Sequence, residues 1–184
     1  MTVLIGSVTA LVALVASLIG AASHLVAPSA LPDALRAHQV VPSKLIAPVA
    51  IVVPLAELVV GAVGVVALAI GATTLAAVAL GIAAVLFAAY AAYIQYALTT
   101  GRSGPCGCSR SEAPMDGWVV VRAGVFAACA LVGALSSGAV VPSAADPASW
   151  TVILAASATF VILLWLLPTA MREPATGGVS RWTS

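Results

Sequence analysis

Charge is what this sequence has least of. Seven Lys and Arg and six Asp and Glu are spread over 184 residues, a charged share of 7%, where an ordinary soluble domain carries roughly 25%. So few charges cannot cover a water-facing surface, which excludes a soluble enzyme and a disordered chain. A net charge of +1 excludes a basic-patch binder of nucleic acid and gives no sign of an acidic or basic partner. Three cysteines are too few for a secreted disulfide scaffold. Residues 1–6 contain no Lys or Arg, so the positive region of a signal peptide is missing, and the first apolar run is expected to stay as a helix.

What is present is apolar: 62% of the residues are hydrophobic, and the mean hydropathy is +1.18. A helix needs about 20 apolar residues to cross a bilayer core of about 30 Å. Five runs meet that length, at about 3–22, 46–70, 74–98, 117–140 and 148–170. Strict alternation of apolar and polar residues is absent, so helices rather than barrel strands are the spanning elements. The expected fold is an all-α polytopic membrane protein: an up-and-down four-helix bundle plus a fifth transmembrane helix, one domain over 1–170, with a mobile polar tail over 171–184. A short turn at Gly71 makes the second and third spans an antiparallel pair. The fifth span is expected on the outside of the bundle, packed through Leu154, Phe160, Leu164 and Leu167. Trp118, Trp150 and Trp165 are read as interfacial belt residues. Between the first two spans, Leu31, Ala34, Leu35 and Ala37 predict an amphipathic turn along the interface.

Five spans put the 23–44 loop, the 99–116 loop and the tail on one side. That side holds Arg36, Lys44, Arg102, Arg110, Arg172 and Arg181, and the other side holds no Lys or Arg. Charge asymmetry therefore predicts a cytoplasmic location for the 99–116 loop.

That loop carries Pro105-Cys106-Gly107-Cys108. Two thiols one residue apart can close a small, strained ring, and strained exposed disulfides are the labile, catalytic kind. Gly107 supplies the bend. Arg102 and Arg110 flank the pair and favour the thiolate, the reactive form. Paired thiolates also suit a soft metal, and a plain tight turn is the third reading. Cys129 is expected to pack as a small hydrophobe.

Glu57 lies in the middle of the second span. A carboxylate at that depth is costly, so it should face the bundle interior and have a partner. Arg122, near the start of the fourth span, is the first choice and His24, at the end of the first, the second. Phe87, Tyr90 and Tyr93 recur every three residues on the third span. With His24 they outline an apolar slot with a few polar groups, suited to a flat lipid-soluble ring such as a quinone; core packing is the competing reading.

In order along the chain stand His24-Leu25, Leu35-Arg36-Ala37-His38, Val41-Pro42, Pro54-Leu55-Ala56-Glu57-Leu58-Val59-Val60-Gly61, Cys106-Gly107-Cys108 and Trp118-Val119-Val120-Val121-Arg122. This ordered set resembles the MauE branch of the DoxX-like membrane proteins, over roughly the first four spans. The resemblance implies a four-helix bundle and thiol–disulfide chemistry, with Glu57, Cys106, Cys108 and Arg122 as the motif residues. It also implies a maturation role: MauE is associated with maturation of methylamine dehydrogenase, whose small subunit is rich in disulfides, and DoxX proteins with quinone-coupled sulfur oxidation. His24 stands where the family has a lysine, Ser109 replaces an aromatic residue, and the fifth span lies beyond the pattern. Family analogy places the thiols on the outer face, against the charge asymmetry.

The expected function is a membrane thiol–disulfide redox protein, possessing a Cys-Gly-Cys pair that trades electrons with a thioredoxin-like or substrate protein or with a quinone. The bilayer is its surroundings and nucleic acid is not a partner. Two other classes compete: a soft-metal carrier using Cys106 and Cys108 with His24 or His38, and a non-catalytic assembly subunit of a membrane complex.

Overall fold

The computed structural model describes residues 2–102, 104–107, 115–139 and 147–171. Within them the chain is helical: α1 (Thr2–Val26), α2 (Ala30–His38), α3 (Ser43–Ala69), α4 (Thr73–Thr99), α5 (Gly117–Leu135) and α6 (Pro147–Ala170), with a 3₁₀ turn at Ser137–Ala139. All but α2 are long and apolar enough to cross a membrane. The protein is thus an all-α, multi-pass membrane protein. The polar tail, Cys108 and Arg110 lie outside the described residues.

The spanning helices exist because a backbone in hydrocarbon must satisfy its own hydrogen bonds. Their ends follow local chemistry. Gly71, at φ 71°, turns α3 into α4, a conformation that costs other residues a Cβ clash. Asp116 caps α5 by accepting the Val119 amide hydrogen bond at 3.1 Å, filling one of the orphan donors of a helix N-terminus. α3 runs unbroken through Pro48 and Pro54, each of which removes one helical N–H donor.

α1 packs on α3 and α5, and α4 packs on the same two, so four helices close a ring with α3 and α5 at opposite corners. Small residues bring the backbones together, as expected where lipid offers no hydrophobic drive between helices. A Cβ on Gly133 would stand 2.8 Å from the Ala10 Cα, and one on Gly64 would collide with the Leu14 side chain. The core between the helices holds Leu14, Leu80, Phe87 and Phe126, with the two phenylalanine rings 5.4 Å apart. Cys129 packs against that core.

The fifth spanning helix, α6, lies against α1 and α5 outside the ring. Its inward face matches the expected one in part: Leu164 packs against the core and Leu167 is half-buried. Ile153, Ser157, Val161 and Pro168 are buried, whereas Leu154 and Phe160 are exposed toward the lipid. The Ser157 hydroxyl donates to the Val8 carbonyl at 3.4 Å. A helix that is apolar all round gives no stripe to read. α2 forms the expected amphipathic helix with Ala34, Leu35 and His38 buried, while Ala37 is exposed.

Candidate functional site

At the end of the bundle covered by α2, a cavity of about 270 Å³ runs between the helices and under the 104–107 segment. It is lined from every helix. α1 gives Gly20 and His24; α2 gives Leu31, Leu35 and His38; α3 gives Val49, Val53 and Glu57. α4 gives Phe87, Tyr90 and Tyr93, α5 gives Val119, Arg122 and Phe126, and α6 gives Trp165. Cys106 and Met115 line it from outside the helices. Six of the seven residues expected at the site (Cys106, Glu57, Arg122, His24, Tyr90 and Tyr93) therefore share one cavity. The seventh, Cys108, lies outside the described residues.

The deep end centres on Glu57, which is 3% exposed. The Tyr90 hydroxyl donates to its Oε1 at 3.0 Å. Among the described residues Oε2 has no hydrogen-bond partner; His24 Nε2 stands 3.6 Å away, beyond hydrogen-bonding distance, and forms an ion pair there only when the imidazole is protonated. Gly20 makes the room, because a Cβ there would stand 2.8 Å from Oε1 and 3.0 Å from Oε2. A buried carboxyl oxygen left without a partner in a low-dielectric site is costly, and a group entering the cavity could satisfy it.

Of the two partners expected for Glu57, the second choice, His24, stands beside the carboxyl group, while Arg122, the first choice, makes its described contacts elsewhere. Glu57 lies on α3 and Arg122 on α5, opposite corners of the ring. Arg122 turns instead to the loop, with Nη2 3.9 Å from Cys106 Sγ, and its Cζ lies 5.3 Å from the Trp165 ring centroid. Trp165, expected only as an interfacial belt residue, therefore also lines the cavity. Arg102, expected to favour the thiolate, donates to the Gln39 carbonyl, which holds the end of α2 to the loop.

The shallow end is built by docking the loop on α2. The His38 ring is buried, with Nε2 3.0 Å from the Pro105 carbonyl and Nδ1 2.9 Å from the Tyr93 hydroxyl. A carbonyl only accepts, so Nε2 carries the hydrogen and Nδ1 accepts from Tyr93. Burial lowers the His38 pKa from its ordinary 6.5, and the bond to Pro105 works against that shift. Gly104 and Gly107 lie flat on α2: a Cβ on Gly104 would meet His38 Cδ2 at 2.8 Å, and one on Gly107 would meet Ala34 Cβ at 2.7 Å. Gly107 also sits at φ 70°, so the glycine is required by its backbone and by its neighbour. The Met115 amide closes the segment on the Gly104 carbonyl at 3.0 Å.

Sequence reasoning missed two residues. His38 enters the sequence reading only as one member of the family pattern and as an assisting metal ligand, although it stands one residue past the amphipathic set of α2. Trp165 was assigned to the belt because nothing in α6 marks its inner face except Ser157. Among the described residues no three His, Cys, Asp or Glu gather closely enough to hold a metal ion.

The arrangement can stabilise a thiolate beside a guanidinium and present a carboxyl group and an imidazole to the same space. The family model described as methylamine utilisation protein MauE matches residues 1–136. No curated protein and no solved structure gives a match. The matched stretch covers α1 to α5, including Glu57, the Cys-Gly-Cys motif and Arg122. The chain belongs to the MauE family of membrane proteins.

Proposed function

We propose that this protein is a membrane thiol–disulfide redox protein, in which Cys106 and Cys108 cycle between dithiol and disulfide against a thioredoxin-like or substrate protein during its maturation. The observation that carries this reading is the single cavity that joins Cys106 and Arg122 to Glu57, Tyr90 and His24. Closing the pair releases two electrons and two protons, and opening it takes them up. In an exchange step one thiolate attacks a partner disulfide, the partner's other sulfur leaves as thiolate, and the second cysteine then displaces the partner. Arg122 stabilises the Cys106 thiolate in the first step.

The cavity also suits a quinone: its walls are apolar, and Glu57 Oε2 is buried with no hydrogen-bond partner among the described residues. Held there, such a ring would accept or supply the two electrons and two protons. Glu57 and His24 would hold and move protons at its oxygens, Tyr90 would orient Glu57, and the rings of Tyr90 and Tyr93 would form the walls. The basic residues around the loop favour its placement on the cytoplasmic face, where the pair would pass reducing equivalents from cytosolic thiols. Labelling intact cells with a membrane-impermeant maleimide reads that placement.

Alkylation trapping in membranes tests the redox reading. Wild type should shift between one and three reactive thiols when reductant is added, and Cys129→Ser should keep the two-thiol shift. Cys106→Ser and Cys108→Ser should each abolish partner oxidation or reduction. Two single variants with wild-type function would overturn the reading.

A further inference from the structure

We infer that Trp165 is a positioning residue: it holds the Arg122 guanidinium beside Cys106 Sγ and thereby sets how readily that thiol ionises. The inference concerns the same thiol as the proposed redox function, but its readout needs no redox partner.

An arginine near a helix end has a long flexible stem and can reach inward or turn back to the interface. Two contacts fix the choice here. The Arg122 Cζ lies 5.3 Å from the Trp165 centroid, within the distance at which a cation is attracted to a ring face. Its Nη2 lies 3.9 Å from Cys106 Sγ. All three side chains line the same cavity, where low polarity strengthens the pull between guanidinium and thiolate.

Trp165 is itself held in place. Val161 and Pro168, one turn before and after it, are buried against the bundle, and Ser157 donates to the α1 backbone. α6 lies beyond residues 1–136, the stretch that matches the family. The added helix therefore supplies a working part of the site and does more than cover the ring.

The test uses the full-length reduced protein carrying Cys129→Ser, with Cys106 alkylation by iodoacetamide followed by peptide mass across a pH series. Trp165→Leu should slow Cys106 alkylation at pH 7 about threefold or more and move its profile to higher pH. Trp165→Met, which fills more of the space without a ring, should do the same, and Trp165→Phe should restore most of the wild-type profile. In an Arg122→Gln background Trp165→Leu should add nothing. An unmoved profile in Trp165→Leu and Trp165→Met, even with a lowered melting temperature, would mean that the tryptophan only packs. Equal slowing with and without Arg122 would equally overturn the inference. Loss of partner oxidation in the cysteine variants bears on the redox function alone and leaves this readout untouched.

Discussion

At the Glu57 end of the cavity the contacts run between long spanning helices: Gly20 on α1, Glu57 on α3 and Tyr90 on α4. At the Cys106 end they run from a loop to the short helix α2 and to α6. Helices fixed by close glycine packing give a rigid wall, because packed interiors resist displacement. A loop held by His38, the Met115 amide, two flat glycines and the contacts of Arg102 and Arg122 can leave its seat at lower cost, since local openings draw on few buried contacts. Under the proposed redox function, the thiol that meets a partner protein lies on the movable end and the buried carboxyl group on the rigid one.

The largest expected effect separates the two ends chemically. Glu57→Gln keeps the volume and an acceptor for the Tyr90 hydroxyl but removes the exchangeable carboxyl proton. Turnover coupled to a quinone should fall about 100-fold, the lower range for losing a proton-transfer group. Cys106 alkylation should stay at the wild-type rate. Equal losses in both measurements would show that the ends do not act separately.

A smaller effect tests the seat of the loop. Gly107→Ala adds a Cβ where Ala34 already stands and forces a side chain into the left-handed region, which by itself costs roughly 1–2 kcal/mol. Gly101→Ala is the control, since Gly101 has φ 71° but nothing within 4 Å of its built Cβ. Hydrogen exchange at the Met115 amide should speed up about tenfold or more in Gly107→Ala and clearly less in Gly101→Ala. Matching effects would mean that backbone strain, and not contact with α2, holds the segment.

The sequence made the helices legible because each spanning run is long, apolar and bounded by Gly, Pro or polar residues. Glu57, His24 and Arg122 were legible for the opposite reason: each ionisable group in an apolar segment is costly and must serve something. Their pairing was not legible. Linear spacing says that Glu57 and Arg122 lie on different helices, but only the ring arrangement says that those helices stand at opposite corners. Trp165 was hidden because α6 is apolar on all sides. The docking of the loop was half legible: Gly107 announced a bend, while Ala34 and His38 as its seat depend on how α2 folds back.

The smallest expected effect is a pH dependence confined to the movable end. In the docked loop the neutral His38 tautomer meets both neighbours, donating from Nε2 to Pro105 and accepting at Nδ1 from Tyr93. A proton added at Nδ1 would face a hydroxyl that must rotate from donor to acceptor, and burial already disfavours the charged ring, lowering its pKa from 6.5. The released loop exposes a histidine that titrates near its ordinary value, so the undocked state binds the proton first as pH falls. Docking is therefore fully present above about pH 6.5 and weakens as the pH drops below it. Met115 amide exchange, corrected for its intrinsic pH dependence, should accelerate a few-fold between pH 7.5 and 5.5. His38→Gln, which still offers a donor and an acceptor but no titrating nitrogen, should remove that acceleration. A wild-type protein with constant protection across this range, or a glutamine variant that keeps the slope, would assign the seat of the loop to Gly104 and Gly107 instead.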